Sequence, residues 1–519
     1  MGMRGLLSLL LPAICIAACA SPAGTDCDIC IYGGTSAGVI AARSAAQQGK
    51  NVILIEPSSH IGGLTTGGLG QTDMGKRQKL CGLAKDFYDD VGKYYGTVSK
   101  LVFEPHAASE IFASYLDSPK IRICKDTGLR KAVVRGRKIK SIRIAPLDDK
   151  GCFAGREKTI RAKVFIDCSY EGDLMASAGV GYTTGRESSE TYGEPWNGFH
   201  FAWYHQFPDG VDPYVVPGEP SSGLLWGISD AAESPEGSAD SLVQAYNLRV
   251  CLTDSTDNRI PFTKPDGYDA GRYELLARLM AAQPEDARYF IWSPMPGRKT
   301  DINNYGGFST DMIGCNSGYI EGSYSRRKEI LDAHGEYIKG LFWFILTDPR
   351  VPQALSREVS RWGYPKDEYT ENGHWTPQLY VREGRRMLGD YVVTQADCEG
   401  RIRVEDGIAE AAYMMDSHNC QRIVVERNGV KMVKNEGDVE IKIPGPYPVS
   451  YRAIVPKREE CTNLLVPVCV SASHIAFGSI RMEPVFMTLG EVAARAACIA
   501  ADEACSVQDI DYRRVRCLF

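Results

Sequence analysis

Between Asp28 and Pro57 the chain changes character in a fixed order. An apolar run holding Ile29 and Ile31 enters Gly33-Gly34-Thr35-Ser36-Ala37-Gly38, an alanine-rich stretch follows, and a second apolar run, Val52 to Ile55, ends at Glu56. This pattern predicts strand, tight turn, helix, strand. Helical periodicity returns over 83–95 and 107–116, and short strands are predicted over 121–124, 131–134 and 138–144. Lys163 to Asp167 reads as an apolar strand that runs into an acidic loop and helix. From 188 to 440 aromatics, prolines and turn residues are dense, with helices predicted near 270–282 and 325–346. Asn463 to Val470 reads as a buried strand, and 484–502 as a final helix of small residues.

The first unit carries chemistry in each part. Gly33 permits the sharp turn out of the strand, and Gly38 lets the helix pack close to the sheet. The helix N-terminus offers free N–H groups and partial positive charge to a pyrophosphate. Glu56, about 20 residues on, can accept hydrogen bonds from ribose hydroxyls. Thr35 stands where the motif has its middle glycine. The expectation is a dinucleotide site; the plain alternative is an ordinary βαβ unit with a glycine turn. The glycine-rich segment 61–70 excludes a regular helix and suggests backbone close to a ligand.

Composition adds bounds. A chain of 519 residues can bury a large core in two or more domains. A net charge of −6 without a basic stripe gives no reason to invoke nucleic acid. Arg4 followed by the apolar run Leu6 to Ala18 is too short to span a bilayer and reads as a signal peptide, residues 1–18. Ile16-Ala17-Ala18-Cys19 resembles a bacterial lipobox, so 19–26 becomes a lipidated tether anchored at Cys19, with plain signal cleavage as the alternative. The expected address is the cell envelope, as a periplasmic or surface lipoprotein. The 17 cysteines lack metal-site spacing; disulfides or free buried thiols remain open.

Beyond the local reading, the chain resembles the exported bacterial FAD-dependent oxidoreductases of the glutathione-reductase-like flavoprotein superfamily, a group also catalogued as xanthan-lyase-like. The matching segments are YGGTSAG at 32–38, IGGLTTGGLGQTD at 61–73, FEPHAA at 103–108 and DCSYEGDLMASAGVGYTTGRES at 167–188. DINNYGGFSTDMIG at 301–314, QLYVREGRRMLGDYVVTQ at 378–395 and PVCVSASHIAFGSIRMEPVFMTLGEVAA at 467–494 complete the match. Ala494 departs from a usual glycine. The resemblance implies an α/β fold: a discontinuous Rossmann-like FAD-binding domain, 27–187 and 441–519, with an inserted mixed α+β substrate domain, 188–440. It implies that Gly33, Gly34, Ser36, Ala37, Gly38 and Glu56 hold the ADP half of FAD. Gly62 and Gly63 would lie by the ribityl chain and ring, and Asp167, Glu171 and Asp173 on the loop past the pyrophosphate. Met482 and the helix near Gly490 would face the flavin.

Three residues stand out as catalytic candidates. His474, just before that flavin-facing segment, could take a hydroxyl proton while a hydride leaves carbon; the alternative is a structural histidine. His418 sits in a polar turn. Arg382, with Glu383, Arg385 and Arg386, is predicted on a helix that either clamps an anionic substrate or forms an ion-pair network. His200, His205, Trp196, Trp203 and Tyr204 make an aromatic patch, either a sugar wall or a core. The expected function is hydride transfer between a small or carbohydrate-derived substrate and FAD, with an electron acceptor the sequence does not identify. A polysaccharide lyase or hydrolase, or a glycan-binding surface lipoprotein, is the alternative.

Overall fold

The computed structural model describes residues 26–517. The expected signal peptide, Cys19 and most of the tether fall outside the described residues. Five parallel strands form the central sheet: β1 (Cys27–Tyr32), β2 (Val52–Ile55), β3 (Ile121–Cys124), β4 (Ala162–Asp167) and β5 (Leu464–Leu465), in spatial order β5-β4-β1-β2-β3. Cys30 pairs with Ile53 on one side and with Phe165 on the other. Alternation decides what each face meets. Ile29, Ile31, Val52, Leu54, Val164 and Ile166 join the main core. Cys30, Tyr32, Ile53, Ile55 and Phe165 join a second cluster on the opposite face. That face is covered by a three-stranded antiparallel unit, Thr127–Arg135, Lys138–Pro146 and Lys158–Ile160, inserted between β3 and β4. Parallel strands need both faces covered, which accounts for their continuous apolar runs.

Four helices frame the cleft and its surroundings. These are α1 (Ser36–Gln47), α2 (Tyr324–Thr347), α3 (His474–Ile480) and α4 (Glu483–Glu503). Helix α4 lies on α1 so closely that a Cβ at Gly490 would stand 2.5 Å from the carbonyl oxygen of Ala37. Ala494 is fully buried in α4 without disturbing the helix. The main apolar cluster continues from the sheet through Val250 and Ile302 to Tyr337, Leu341 and Phe342 of α2, so the central region shares its core with the nucleotide layer. A disulfide joins Cys81 to Cys517, tying the start of the helix Gly82–Tyr94 to the C-terminal tail.

Three local expectations change. Segment 463–470 is wholly buried, but only Leu464–Leu465 pairs with β4; Pro467 has no N–H to continue the ladder. Within 61–70 one helical turn forms, Gly63–Thr66, between flanking glycines. Residues 381–385 are irregular and Arg386–Met387 pairs antiparallel with Tyr182–Thr183, so no helix forms there. Gly384 passes so near the strand-end loop that a Cβ would lie 2.1 Å from the carbonyl oxygen of Tyr170, leaving no room for a helical cylinder.

Candidate active site and cofactor cleft

The turn after β1 is built by close backbone approach. Gly33 adopts φ +98°, and a Cβ there would sit 2.4 Å from the backbone nitrogen of Ser169. Only glycine meets both demands. Thr35, at the missing middle glycine, caps α1: its hydroxyl accepts from the Gly38 N–H at 3.4 Å and donates to the Cys168 carbonyl at 2.7 Å. It thereby ties the helix start to the loop after β4. The first N–H groups of α1 have no partner within the helix.

Glu56 closes one side. Its Oε2 accepts from the Gly34 N–H at 2.7 Å, and its Oε1 accepts from the Ser58 N–H at 2.9 Å and hydroxyl at 2.7 Å. Burial pushes its carboxyl up to about 7. Thr35, Glu56, Gly63, Ser169, Tyr170 and Glu171 form the floor of a cleft of about 1000 Å³ whose other wall comes from α2 and the stretch 372–379. Tyr319 donates to Glu171 at 3.0 Å across it.

At the far end the 63–66 turn is locked to α4. Tyr170 donates to Glu483 Oε1 at 2.7 Å and accepts from the Leu64 N–H at 3.0 Å, while Thr65 donates to Glu483 Oε2 at 2.7 Å. A carboxylate in the first turn of α4 also suits its dipole. Met482 caps that helix and is buried. Gly490 meets Ala37 rather than the cleft, so its part is helix packing and not contact with a ligand. Ser36, Ala37 and Gly38 lie in the first turn of α1; Gly62 precedes the short turn and pairs with Thr35.

Two expected loop acids are spent on the protein. Asp167 accepts from the Ser169 N–H and hydroxyl and from the Met175 N–H, at 3.1, 2.6 and 2.8 Å. Asp173 is bridged by Arg327 at 2.6 Å and Arg385 at 3.0 Å. Both shape the loop after β4 and neither carboxylate is free for a phosphate, which it would repel.

The sequence candidates for chemistry divide. His474 opens α3, is 1% exposed, and has both ring nitrogens engaged: Nδ1 with Glu383 at 2.8 Å and Nε2 with the Ser417 hydroxyl at 3.2 Å. Glu383 is held at about 2 despite burial, by His474 and Arg386. Arg386 also meets Glu187 at 2.5 Å. His474 therefore sits in a closed ion-pair network, not at an open face. The anionic-clamp reading of 382–386 fails for the same reason. The irregular backbone sends the guanidiniums apart, Arg385 to Glu321 and Asp173, and Arg382 to Asp311 at 2.9 Å.

His418 differs. It follows the strand Met415–Ser417, and its Nδ1 lies 2.7 Å from Asp311. Its Nε2 is 3.9 Å from Asp416, beyond hydrogen-bond reach. Burial, reinforced by Arg382, lowers its pKa, so the ring is neutral. Asp311 is held at about 2 by Arg382 and His418 against the opposing effect of burial. A neutral imidazole whose Nδ1–H faces a carboxylate keeps a basic lone pair on Nε2. Around it stand Arg481, bonded to the Tyr380 hydroxyl and to Asp416 at 2.8 Å each, and Asp73 in the field of Arg249, Arg481 and Arg382. Tyr380 lies between two guanidiniums, with Arg382 4.7 Å and Arg481 5.7 Å from its ring centroid. Asp73 ends the motif at 61–73 and Tyr380 lies within the one at 378–395, whereas Arg249 and Asp416 carry no local signal. Of the aromatic patch, Trp203 is 89% exposed whereas His200 is buried.

The cleft's donor set fits FAD: amides at a helix start for a diphosphate and Glu56 for a ribose. Solved structures that resemble part of the chain include THI4 of Thermovibrio ammonificans (18% identity, 31% of this chain and 66% of that one, TM-score 0.26). Others are L-proline dehydrogenase from P. horikoshii (17%, 32% and 25%, 0.18) and 3-ketosteroid-delta4-(5alpha)-dehydrogenase from Rhodococcus jostii RHA1 (13%, 30% and 49%, 0.21). The chain thus spans between 25% and 66% of the length of these structures. No curated protein matches it. The profile of the FAD dependent oxidoreductase family matches residues 28–518, nearly the whole chain. The protein belongs to that family, and is an oxidoreductase with FAD as its cofactor.

Proposed function

We propose that this oxidoreductase transfers a hydride between a small, carbohydrate-derived substrate and flavin in the bacterial cell envelope, with His418 handling the substrate's hydroxyl proton. The observation that carries the reading is the neutral His418 ring, fixed at Nδ1 by Asp311, with no hydrogen bond to Nε2 among the described residues. FAD, when bound, supplies a two-electron acceptor. The chain's own groups do the rest. His418 Nε2 accepts the hydroxyl proton as the C–H bond breaks. Asp311 orients the ring and stabilises its charged form. Arg382 keeps Asp311 ionised and is a positioning residue. The Tyr380 hydroxyl, which accepts from Arg481, has its own proton to offer a substrate oxygen.

The exposed Trp203 supports a sugar as substrate: it meets the half-buried Tyr204 edge to face at 5.3 Å, beside His205. The apolar run Leu6 to Ala18 with Cys19 and the Cys81–Cys517 disulfide support an oxidising envelope compartment, with a lipid anchor at Cys19. The test is anaerobic mixing of the FAD-loaded protein with glycosides and polyols. A substrate should bleach the flavin absorbance, and His418→Ala should keep its flavin while losing the bleaching. Equal bleaching by the variant would remove His418 from the reaction.

A further inference from the structure

The strands Met415–Ser417 and Val439–Ile441 pair antiparallel, and their register sets Asp416 directly opposite Glu440. Opposed side chains share a face, and residues two apart on a strand share it as well. Asp438, at the strand's edge, therefore joins Asp416 and Glu440 on one side of the ribbon. Like charges in this arrangement repel. Asp416 is answered by Arg481 at 2.8 Å. Among the described residues, Asp438 and Glu440 pair with no lysine or arginine; each pairs only with His205.

His205 Nδ1 lies 3.1 Å from Asp438 Oδ2 and 3.8 Å from Glu440 Oε1. One ligand atom from each of the three residues falls within 4.8 Å of the others. Asp438 is only 3% exposed, yet it spends Oδ2 alone on the protein, on His205 and on the Asn419 amide at 3.1 Å; its Oδ1 makes no hydrogen bond among the described residues. Burial, with Asp416 and Glu440 nearby, pushes its carboxyl up to about 7. The imidazole is also held in place. His205 takes φ +49°, with its carbonyl accepting from the Asn419 and Asn435 side chains at 3.3 and 2.8 Å.

We propose that His205, Asp438 and Glu440 bind a divalent transition-metal ion at the rim of the His418 site. The two separations from His205 fit a shared ion at about 2.0–2.2 Å from each donor. One imidazole nitrogen with two carboxylates suits Mn²⁺ or Zn²⁺ better than Ca²⁺ or Mg²⁺, which prefer oxygen alone. Asn419, bonded to Asp438, supplies the outer hydrogen bond that orients a ligand. Glu440, with 38% side-chain exposure, leaves room for water to complete the shell. A second cluster of the same composition provides the contrast: Glu104, His106 and Glu368 already enclose a cation, Lys299 Nζ, at 2.8 Å from Glu104 and 2.7 Å from Glu368. The His205 cluster has no such built-in ammonium among the described residues.

The experiment is titration calorimetry of chelator-treated, FAD-loaded protein with MnCl₂ and with ZnCl₂, with Mn²⁺ paramagnetic resonance as a second readout. One equivalent should bind the wild type, at least tenfold more weakly to Asp438→Asn and to Glu440→Gln, and unchanged to Glu233→Gln, a surface acid paired with Arg427. If His205 is only a protonated counter-ion, the wild type takes up no ion and the proposal is wrong. Equal binding by wild type and Glu440→Gln also overturns it. Should Asp438→Asn fail to fold, Glu440→Gln, at a half-exposed position, decides alone.

Discussion

His418 and Asp311 stand 107 residues apart in the chain and 2.7 Å apart in the fold, and Arg382 reaches the same carboxylate at 2.9 Å from a third segment. The triad arises because the strand Met415–Ser417 and the loops at 311 and 382 converge where α3 begins. The two neighbours act on the ring in opposite senses: Arg382 lowers the pKa of His418 and Asp311 raises it. Opposite pH shifts should therefore result from removing each. With His418 as base, kcat/KM rises as pH passes upward through its pKa, which lies below the ordinary value of about 6.5. Arg382→Met should move that limb to higher pH. Asp311→Asn should move it to lower pH and slow the reductive step by roughly 10²–10⁴-fold, as the ring loses its orientation. Rapid-mixing flavin reduction from pH 5 to 9 measures both, and parallel shifts in the two variants would exclude the arrangement.

His474 should behave as structure. Glu383 sits between it and Arg386 with no exposure, so breaking the pair strands a buried charge and costs about 3–5 kcal/mol. Because the folded pKa of Glu383 is about 2, below the ordinary glutamate value, its stabilisation is complete above pH ~4.3 and is lost as pH falls toward 2. Glu383→Gln should lower the melting temperature at neutral pH and flatten the acid side of the stability profile between those limits. His474→Gln should also melt earlier, yet its folded fraction should still bleach with substrate. Loss of bleaching at full stability would return His474 to the chemistry.

The βαβ unit was legible and the surroundings of His418 were not, because the two are encoded differently. Gly33 and Gly38 act through backbone geometry and Glu56 through a carboxylate folded back on the same βαβ unit, so spacing along the chain carries the information. His418, Asp311, Arg382 and Arg481 come together only through tertiary packing, and nothing local to any of them reports the others. The helix expected over 382–386 failed for a related reason. Periodic arginines resemble a helix face, but each guanidinium is drawn to a different carboxylate, and the approach of Gly384 to Tyr170 leaves no room for a helix. His474 was singled out for its closeness to the α4 motif, which sequence shows, while its enclosure by Glu383 and Ser417, which sequence does not show, decides its role.

Glu56 offers a direct test of the cofactor end. Its carboxylate already accepts from Gly34 and Ser58, and it lines the cleft where a ribose would lie. Glu56→Gln keeps the shape but loses charge-assisted hydrogen bonds worth about 1.5–3 kcal/mol. FAD should bind roughly 10–100-fold more weakly, read by fluorescence quenching on titrating the apoprotein. Unchanged affinity would mean that the carboxylate serves only the turn.

Gly490 tests whether packing of the last helix governs the cleft from behind. A Cβ at this position would meet the Ala37 carbonyl at 2.5 Å, and backbone atoms at that distance cannot yield as the tip of a flexible side chain can. Gly490→Ala must therefore separate α4 from α1. Overpacking of this kind costs about 1–3 kcal/mol. The displacement should have a second consequence, because α1 would offer its first-turn amides to the diphosphate and α4 carries Glu483, which fixes the 63–66 turn through Thr65 and Tyr170. FAD affinity should fall together with the melting temperature, even though residue 490 faces away from the cleft. Gly49→Ala is the control: it sits at φ +79° with nothing within 4 Å of its would-be Cβ, so it strains the backbone without pushing on a neighbour. That variant should lose stability alone. A Gly490→Ala protein that melts early but binds FAD with wild-type affinity would separate helix packing from the cofactor site.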